Sequence, residues 1–238
     1  FLNYDDPLLK KCFSSYHHRT TFGFSKNADV QGKITGYTND GRPEITINYR
    51  RKSFSTASPL YGKSNANNFI AAASIALKLG LNFSKIKNAV NKLKPSSGRL
   101  EVIRLSNFTV INDTYNANPE STKAAIELTG RIKNRSRKIL ILGDMFELGK
   151  NKLEFHRNLR STVLKNMITD VYTIGSSMKS LSGSLTEKKI FKKHFESRSA
   201  LKNFIRKFDF KGSVVLIKGS RGMKMEEFLE IIKQKFMN

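Results

Sequence analysis

From residue 99 to its end the sequence alternates short apolar runs with amphipathic helical stretches, and this alternation restricts the fold more than any other feature. A strand-like run at 108–112 leads through a polar loop to a helix from 119 to about 133. Another at 138–142 passes through Gly143-Asp144 to a helix around 152–165. The run 171–174 ends at Gly175, with a helix around 200–208 after it. The run 213–217 ends at Lys218-Gly219, and 223–236 forms the last helix. Strands joined through helices require right-handed crossovers, so a mostly parallel α/β sheet is expected. The uninterrupted apolar runs ILIL (139–142) and VVLI (214–217) suit strands covered on both faces.

The first hundred residues are mixed. Residues 1–4 read as a strand closed by the turn Asp5-Asp6-Pro7. Segments 29–37 and 44–49, with Gly41 and Pro43 between them, predict a β-hairpin. An Ala-rich stretch at 68–79 predicts a buried helix stopped by Gly80. Ser84 is placed to cap a second helix carrying Ile86, Ala89, Val90 and Leu93 at helical spacing. Pro95-Ser96-Ser97-Gly98 reads as a linker, which divides the 238 residues into domains at 1–95 and 96–238.

Composition excludes several classes. No apolar run approaches the ~18–20 residues of a membrane helix. Cys12 stands alone, so no internal disulfide forms, and a reducing, cytoplasmic setting is expected. The chain opens on Phe1 inside an apolar run, as expected for a piece of a longer protein. Forty-three basic against 19 acidic residues give a formal charge of +24. That balance invites a polyanion partner. The charge is nevertheless dispersed among short runs at 133–138, 187–194 and 233–236, and no nucleic-acid-binding signature accompanies it. A lysine-rich composition is the favoured reading, and a basic nucleotide- or nucleic-acid-binding module without catalysis is the alternative.

Ligands of open parallel sheets bind at the carboxyl ends of the strands. Four such ends carry polar or glycine-rich residues: 113–118, 143–145, 175–177 and 218–222. Asp113 is placed to accept ribose hydroxyls, although a turn-forming Asp is equally common there. Lys218 and Arg221 are placed to hold a phosphate or carboxylate, or to lie solvated in a basic loop. Asn118-Pro119 is a helix N-cap and N1 pair. Asn65 and Asn68 either cap the Ala-rich helix or offer amides to a base edge. His156, spaced with Leu153, Leu159 and Val163, reads as a packed structural histidine. His17-His18 lacks partners at metal-binding spacing, and no metal ligand is assigned within the chain.

The runs DTYNANPESTKAAI (113–126), LGDMFELG (142–149) with His156, and KGSRGMKME (218–226) resemble the Mur ligases. FLNYDDP (1–7), TFGFSKNADV (21–30), GKSNANNFIAAA (62–73) and SGRLEV (97–102) extend the resemblance over the whole chain. Residues 1–95 are similar to the second half of that family's central ATP-binding domain, and 96–238 to its Rossmann-like C-terminal domain. The resemblance implies an ATP- and Mg²⁺-dependent amide ligase of peptidoglycan synthesis. YNANP with GDMFELG implies the branch that adds D-alanyl-D-alanine to UDP-N-acetylmuramoyl-tripeptide through an acyl phosphate, and a sister ligase adding another amino acid is the runner-up. It implies adenine contacts by Asn65 and Asn68, a phosphate contact by Arg99 and a ribose contact by Asp113. Tyr115, Asn116 and Asn118 are expected beside the nucleotide, and Lys218, Ser220 and Arg221 at the D-alanyl-D-alanine. Ser64 departs from the pattern, where the family has His. The family's phosphate loop, G-x-x-G-K-[ST], is found nowhere in the chain. The Mg²⁺ ligands are likewise expected upstream of Phe1, so this chain alone is expected to be inactive, and a monomer.

Overall fold

The structure is a computed structural model describing residues 1–105, 107–133 and 135–237, the side chain of residue 237 excepted. Asn134, within the basic run 133–138, therefore lies outside the described residues. The chain divides into two compact units, Phe1–Pro95 and Ser96–Asn238.

In the first unit the order is β1 (Leu2–Asn3), α1 (Pro7–Cys12), β2 (Thr21–Gly23), β3 (Val30–Tyr37), β4 (Pro43–Tyr49), β5 (Lys52–Ala57), α2 (Lys63–Lys78) and α3 (Phe83–Val90). The five strands form one sheet in sequence order, with β1, β2 and β3 parallel and β3, β4 and β5 antiparallel. Val30, Ile45 and Ile47 pack under Ala66, Phe69, Ile70, Ala73 and Leu77 of α2 and Ile86 and Val90 of α3. The expected hairpin is β3–β4.

Other local expectations need correction. Asp5-Asp6-Pro7 starts a helix instead of only a turn, because the Asp6 carboxylate accepts from the amides of Leu8 and Leu9. Helix α2 begins at Lys63, before the expected residue 68, since its first turn is polar and invisible to apolar spacing. Gly62 occupies its N-cap. Asn65 and Asn68 thus lie inside the helix and do not cap it; the Asn65 amide donates to the Tyr61 carbonyl at 2.9 Å. Asn82, not Ser84, caps α3 by accepting from the Lys85 amide at 2.9 Å. Phe83 at the first helical position packs on Phe54, with ring centroids 4.9 Å apart.

The second unit contains β6 (Glu101–Arg104), β7 (Thr109–Asp113), α4 (Pro119–Arg131), β8 (Arg137–Gly143), α5 (Lys152–Arg157), α6 (Leu159–Lys165), β9 (Asp170–Ile174), α7 (Lys179–Ser184), β10 (Phe191–Phe195), α8 (Arg198–Lys207), β11 (Ser213–Lys218) and α9 (Glu226–Met237). Its sheet has the order β10-β9-β8-β11-β7-β6, parallel throughout except at the β6 edge. The mostly parallel α/β sheet expected from the sequence is present. Val110, Ile139, Ile141, Val215 and Ile217 face α8 and α9. Alternate residues point the other way, where α4 packs on β8 and β11, α6 on α4, and α7 on β9.

The helix expected at 152–165 is divided at Asn158 into α5 and α6. Leu153 leaves the expected buried face and is exposed, whereas Leu159 and Val163 are fully buried. Strand β10 was hidden in a charge run: of FKKHF only Phe195 is buried, and its lysines suit an edge strand.

Basic side chains close several helix ends. Arg19 donates to Phe13 and Ser14 carbonyls after α1, Lys138 to Gly130 in the last turn of α4, Lys192 to Ser182 and Leu185 at α7, and Lys235 to Phe208 after α8. Each places positive charge on the negative end of a helix dipole.

At the start of β9 the buried Asp170 accepts from Arg137 Nε at 3.0 Å and Nη2 at 2.6 Å, from Thr169 at 2.7 Å and from the Tyr172 hydroxyl at 2.9 Å. Burial alone raises this carboxyl, but the bonds from Arg137, Thr169 and Tyr172 hold it below its usual range. A depressed folded-state pKa contributes stability above the unfolded value of about 3.9 and loses it as pH falls through the folded value. Asp170→Asn is accordingly expected to cost about 2–3 kcal/mol at pH 7. Urea unfolding of both proteins at pH 7 and pH 3 should show the gap closing in acid.

Candidate active site

Strand β11 lies at a topological switch point of the second unit's sheet. Its own helix, α9, covers one face, while α4, which follows β7, packs on β11 and β8 from the other. Neighbouring strand ends whose helices diverge leave a crevice between their loops. There the chain forms a cleft of about 310 Å³ lined by Asn116, Ala117 and Asn118 after β7, Phe146, Glu147 and Leu148 after β8, and Ser220, Arg221 and Gly222 after β11. A second hollow of about 250 Å³ adjoins it, between the β8 loop and Ser176-Ser177 after β9.

The end of β11 braces all three walls. Lys218 is 1% exposed, and its ammonium donates to Asp113 Oδ2 at 2.5 Å and to the Asn116 carbonyl at 2.8 Å. Asp113 Oδ1 accepts from the Leu100 amide at 3.0 Å. Burial pushes the Asp113 carboxyl above its usual range against the pull of Lys218, and lowers Lys218 against the pull of Asp113. The Ser220 hydroxyl accepts from the Phe146 amide at 2.8 Å and donates to the Ala117 carbonyl at 3.3 Å. Lys218 and Ser220, expected at the D-alanyl-D-alanine, are buried, with their polar atoms engaged in bracing these loops. Asp113 likewise has both carboxylate oxygens occupied.

Arg99, Tyr115, Asn116 and Arg221 remain exposed. Arg99 is fixed between two anchors, since the Gly98 carbonyl accepts from the Tyr115 amide at 3.0 Å and Leu100 binds Asp113. Its guanidinium lies 4.0 Å from the centroid of the Tyr115 ring, and that of Arg221 lies 6.0 Å from the same centroid. Asn118 caps α4 by accepting from the Ser121 amide at 2.8 Å, and the Ser121 hydroxyl accepts in turn from the Asn118 amide. Asn65 and Asn68 belong to the first unit, on the first turns of α2, and the exposed Ser64 precedes them there.

Deeper supports were partly missed in the sequence. Asp144 accepts from the amides of Ser177 at 3.2 Å and Met178 at 2.7 Å, tying the β8 loop to the β9 loop. Gly175, at φ +108°, turns the chain where a Cβ would strike that carboxylate. The fully buried His156 accepts from the Met145 amide at Nε2, 2.9 Å, and so donates from Nδ1 to the Lys152 carbonyl at 2.6 Å. It is the packed histidine the sequence predicts. Phe146, Glu147 and Leu148 stand in the run LGDMFELG that carries the resemblance, but no site role was read for them in the sequence. Among the described residues no group of three or more His, Cys, Asp or Glu is arranged to hold a metal ion. No step is assigned to a metal in this chain. No described helix is long and apolar enough to cross a membrane.

The family model described as Mur ligase, glutamate ligase domain, matches residues 98–221, more than half of the chain and every residue lining this cleft except Gly222. The chain belongs to the Mur ligase family. It is 32% identical over 232 residues to the UDP-N-acetylmuramoyl-tripeptide–D-alanyl-D-alanine ligase of Bacillus subtilis (strain 168), covering 95% of this chain and 49% of that protein. The enzyme of the same name from Buchnera aphidicola (subsp. Baizongia pistaciae, strain Bp) is 33% identical over 216 residues, 90% of this chain and 46% of that protein. Among solved structures, a Thermotoga maritima MurF ligase in complex with ADP superposes with a TM-score of 0.82 at 25% identity, over 99% of this chain and 53% of that one. The chain thus spans about half the length of the Mur ligases it matches. In this family setting the cleft between β7, β8 and β11 is the candidate active site.

Proposed function

We propose that this chain is the C-terminal part of an ATP-dependent ligase that joins D-alanyl-D-alanine to UDP-N-acetylmuramoyl-tripeptide in peptidoglycan precursor synthesis. The observation carrying this reading is the convergence of Arg99, Tyr115, Asn116 and Arg221 around one switch-point cleft, in a chain similar to ligases of that name. Residues 1–95 serve as the second half of the ATP-binding domain and 96–238 as the domain that closes on it. ATP activates the tripeptide carboxylate as an acyl phosphate; the dipeptide amine attacks that carbonyl, phosphate leaves, and the amine proton passes to solvent or a base.

Within this chain, Arg99 serves a phosphate, with Tyr115, Asn116 and Asn118 alongside. Asn65 and Asn68 serve the adenine. Arg221, at the mouth of the cleft, serves the dipeptide carboxylate through its planar fork. Asp113, Lys218 and Ser220 contribute by holding these loops in place, so that the exposed groups meet the reacting atoms already oriented. The enzyme works in the cytoplasm, where ATP and the UDP-linked substrate are available.

The test expresses the full reading frame containing this chain and supplies ATP, Mg²⁺, the UDP-linked tripeptide and D-alanyl-D-alanine. The expected result is a pentapeptide product with equimolar phosphate, and no phosphate release from the 238-residue chain alone. A product formed with a single amino acid but not with the dipeptide would overturn the substrate assignment.

A further inference from the structure

Arg99 and Arg221 come from loops 122 residues apart, yet both guanidinia gather on the one ring of Tyr115. All three side chains are exposed, and the ring itself is 47% exposed at the rim of the cleft. Two like charges repel, so their shared approach needs a compensating attraction, which the negative face of an aromatic ring supplies. Glu226 lies 3.6 Å from the guanidinium of Arg221, a side chain that is itself 68% exposed. Asp113, the other carboxylate acting on Arg99, is already neutralised by Lys218. Both guanidinia thus lie by one ring, and the pairing of Arg221 with Glu226 is exposed enough for solvent to screen it.

Position fixes the pair as firmly as charge. Arg99 is held by the Gly98–Tyr115 and Leu100–Asp113 bonds. Arg221 opens a tight turn closed by the Met223 amide on the Ser220 carbonyl at 2.8 Å. We propose that Arg99, Tyr115 and Arg221 form a single oxyanion clamp, with Tyr115 the positioning residue that aligns two arginines on one ligand group. The clamp replaces the separate phosphate and dipeptide contacts given to Arg99 and Arg221 in the proposed function with one shared ligand group, and Tyr115 makes the two arginines interdependent. The ligand chemistry is a phosphate or a carboxylate, each able to accept from both guanidinium forks. Only the choice of dipeptide as one probe rests on the proposed function.

The experiment titrates the 238-residue chain calorimetrically with inorganic pyrophosphate and, separately, with D-alanyl-D-alanine. At least one probe is expected to bind, and Arg99→Gln, Arg221→Gln and Tyr115→Leu are each expected to weaken that same probe about tenfold, the loss of one charged hydrogen bond. Tyr115→Phe keeps the ring and is expected to stay within about twofold of the parent. Melting temperatures should not move, because all three side chains are exposed. Weakening of pyrophosphate identifies the group as phosphate, and weakening of the dipeptide alone identifies it as carboxylate. The clamp is overturned if Arg221→Gln leaves untouched the probe that Arg99→Gln weakens, if Tyr115→Leu behaves as the parent, or if neither probe binds. Pyrophosphate binding with all three dependences would stand even if the full reading frame ligated nothing.

Discussion

Lys218→Met is expected to destabilise the second unit by about 3–5 kcal/mol, the cost of leaving a buried charge without its partner. Three contacts depend on that ammonium: Asp113 Oδ2, the Asn116 carbonyl and, through Asp113, the registration of Leu100. The size of the effect should depend on pH in a definite direction. Without Lys218, burial of Asp113 is opposed only by the Leu100 amide and the charge of Arg99, and its folded-state pKa rises further above the unfolded value of about 3.9. A raised carboxyl favours the fold below the unfolded pKa and penalises it as pH climbs through the folded pKa. The deficit should therefore be smallest near pH 4 and grow toward pH 8. Since the chain has no Trp, circular dichroism follows the unfolding. Adding Asp113→Asn should recover much of the loss, because an amide can still accept from the Leu100 amide without a buried charge. No recovery, or a deficit independent of pH, would show that Lys218 does not act through Asp113.

His156→Ala is the second large effect, about 3–4 kcal/mol, made up of two unsatisfied buried backbone groups and a cavity. The imidazole bridges the Met145 amide and the Lys152 carbonyl, so its removal frees the loop carrying Phe146 from α5. His156→Gln restores an acceptor and a donor on one side chain and is expected to recover about half of that cost. Urea midpoints of the three proteins decide the matter. Equal losses for Ala and Gln would place the whole effect in packing and none in the bridge.

The parallel sheet was legible because buried strands write continuous apolar runs: 139–142 and 214–217 cannot be mistaken for surface. Strand β10 was not, since an edge strand needs only one buried residue, Phe195, and fills the rest with lysines. Helix α2 was legible from Phe69 onward and illegible over its polar first turn, where Asn65 spends its amide on Tyr61. At the candidate site, sequence located the right strand ends but could not distinguish ligand from brace. Lys218 and Arg221 look alike in a basic loop. Lys218 is the last residue of β11 and turns inward to Asp113, whereas Arg221 lies beyond the strand in a tight turn that leaves it to solvent. The role of Ser220 was equally hidden, because its two partners, Phe146 and Ala117, lie 74 and 103 residues away.

The basic caps on α1, α4, α7 and α8 change what the +24 charge means for anyone wishing to alter it. Arg19, Lys138, Lys192 and Lys235 are already spoken for by backbone carbonyls, and a carboxylate in any of these places would face the negative end of a helix. Charge reversal intended to curb nonspecific adhesion must therefore leave these four positions intact. Lysines without such contacts are the ones free to be exchanged. Chemical acetylation makes no such distinction among lysines, and a chain acetylated throughout would lose the charged caps of Lys138, Lys192 and Lys235 while keeping that of Arg19.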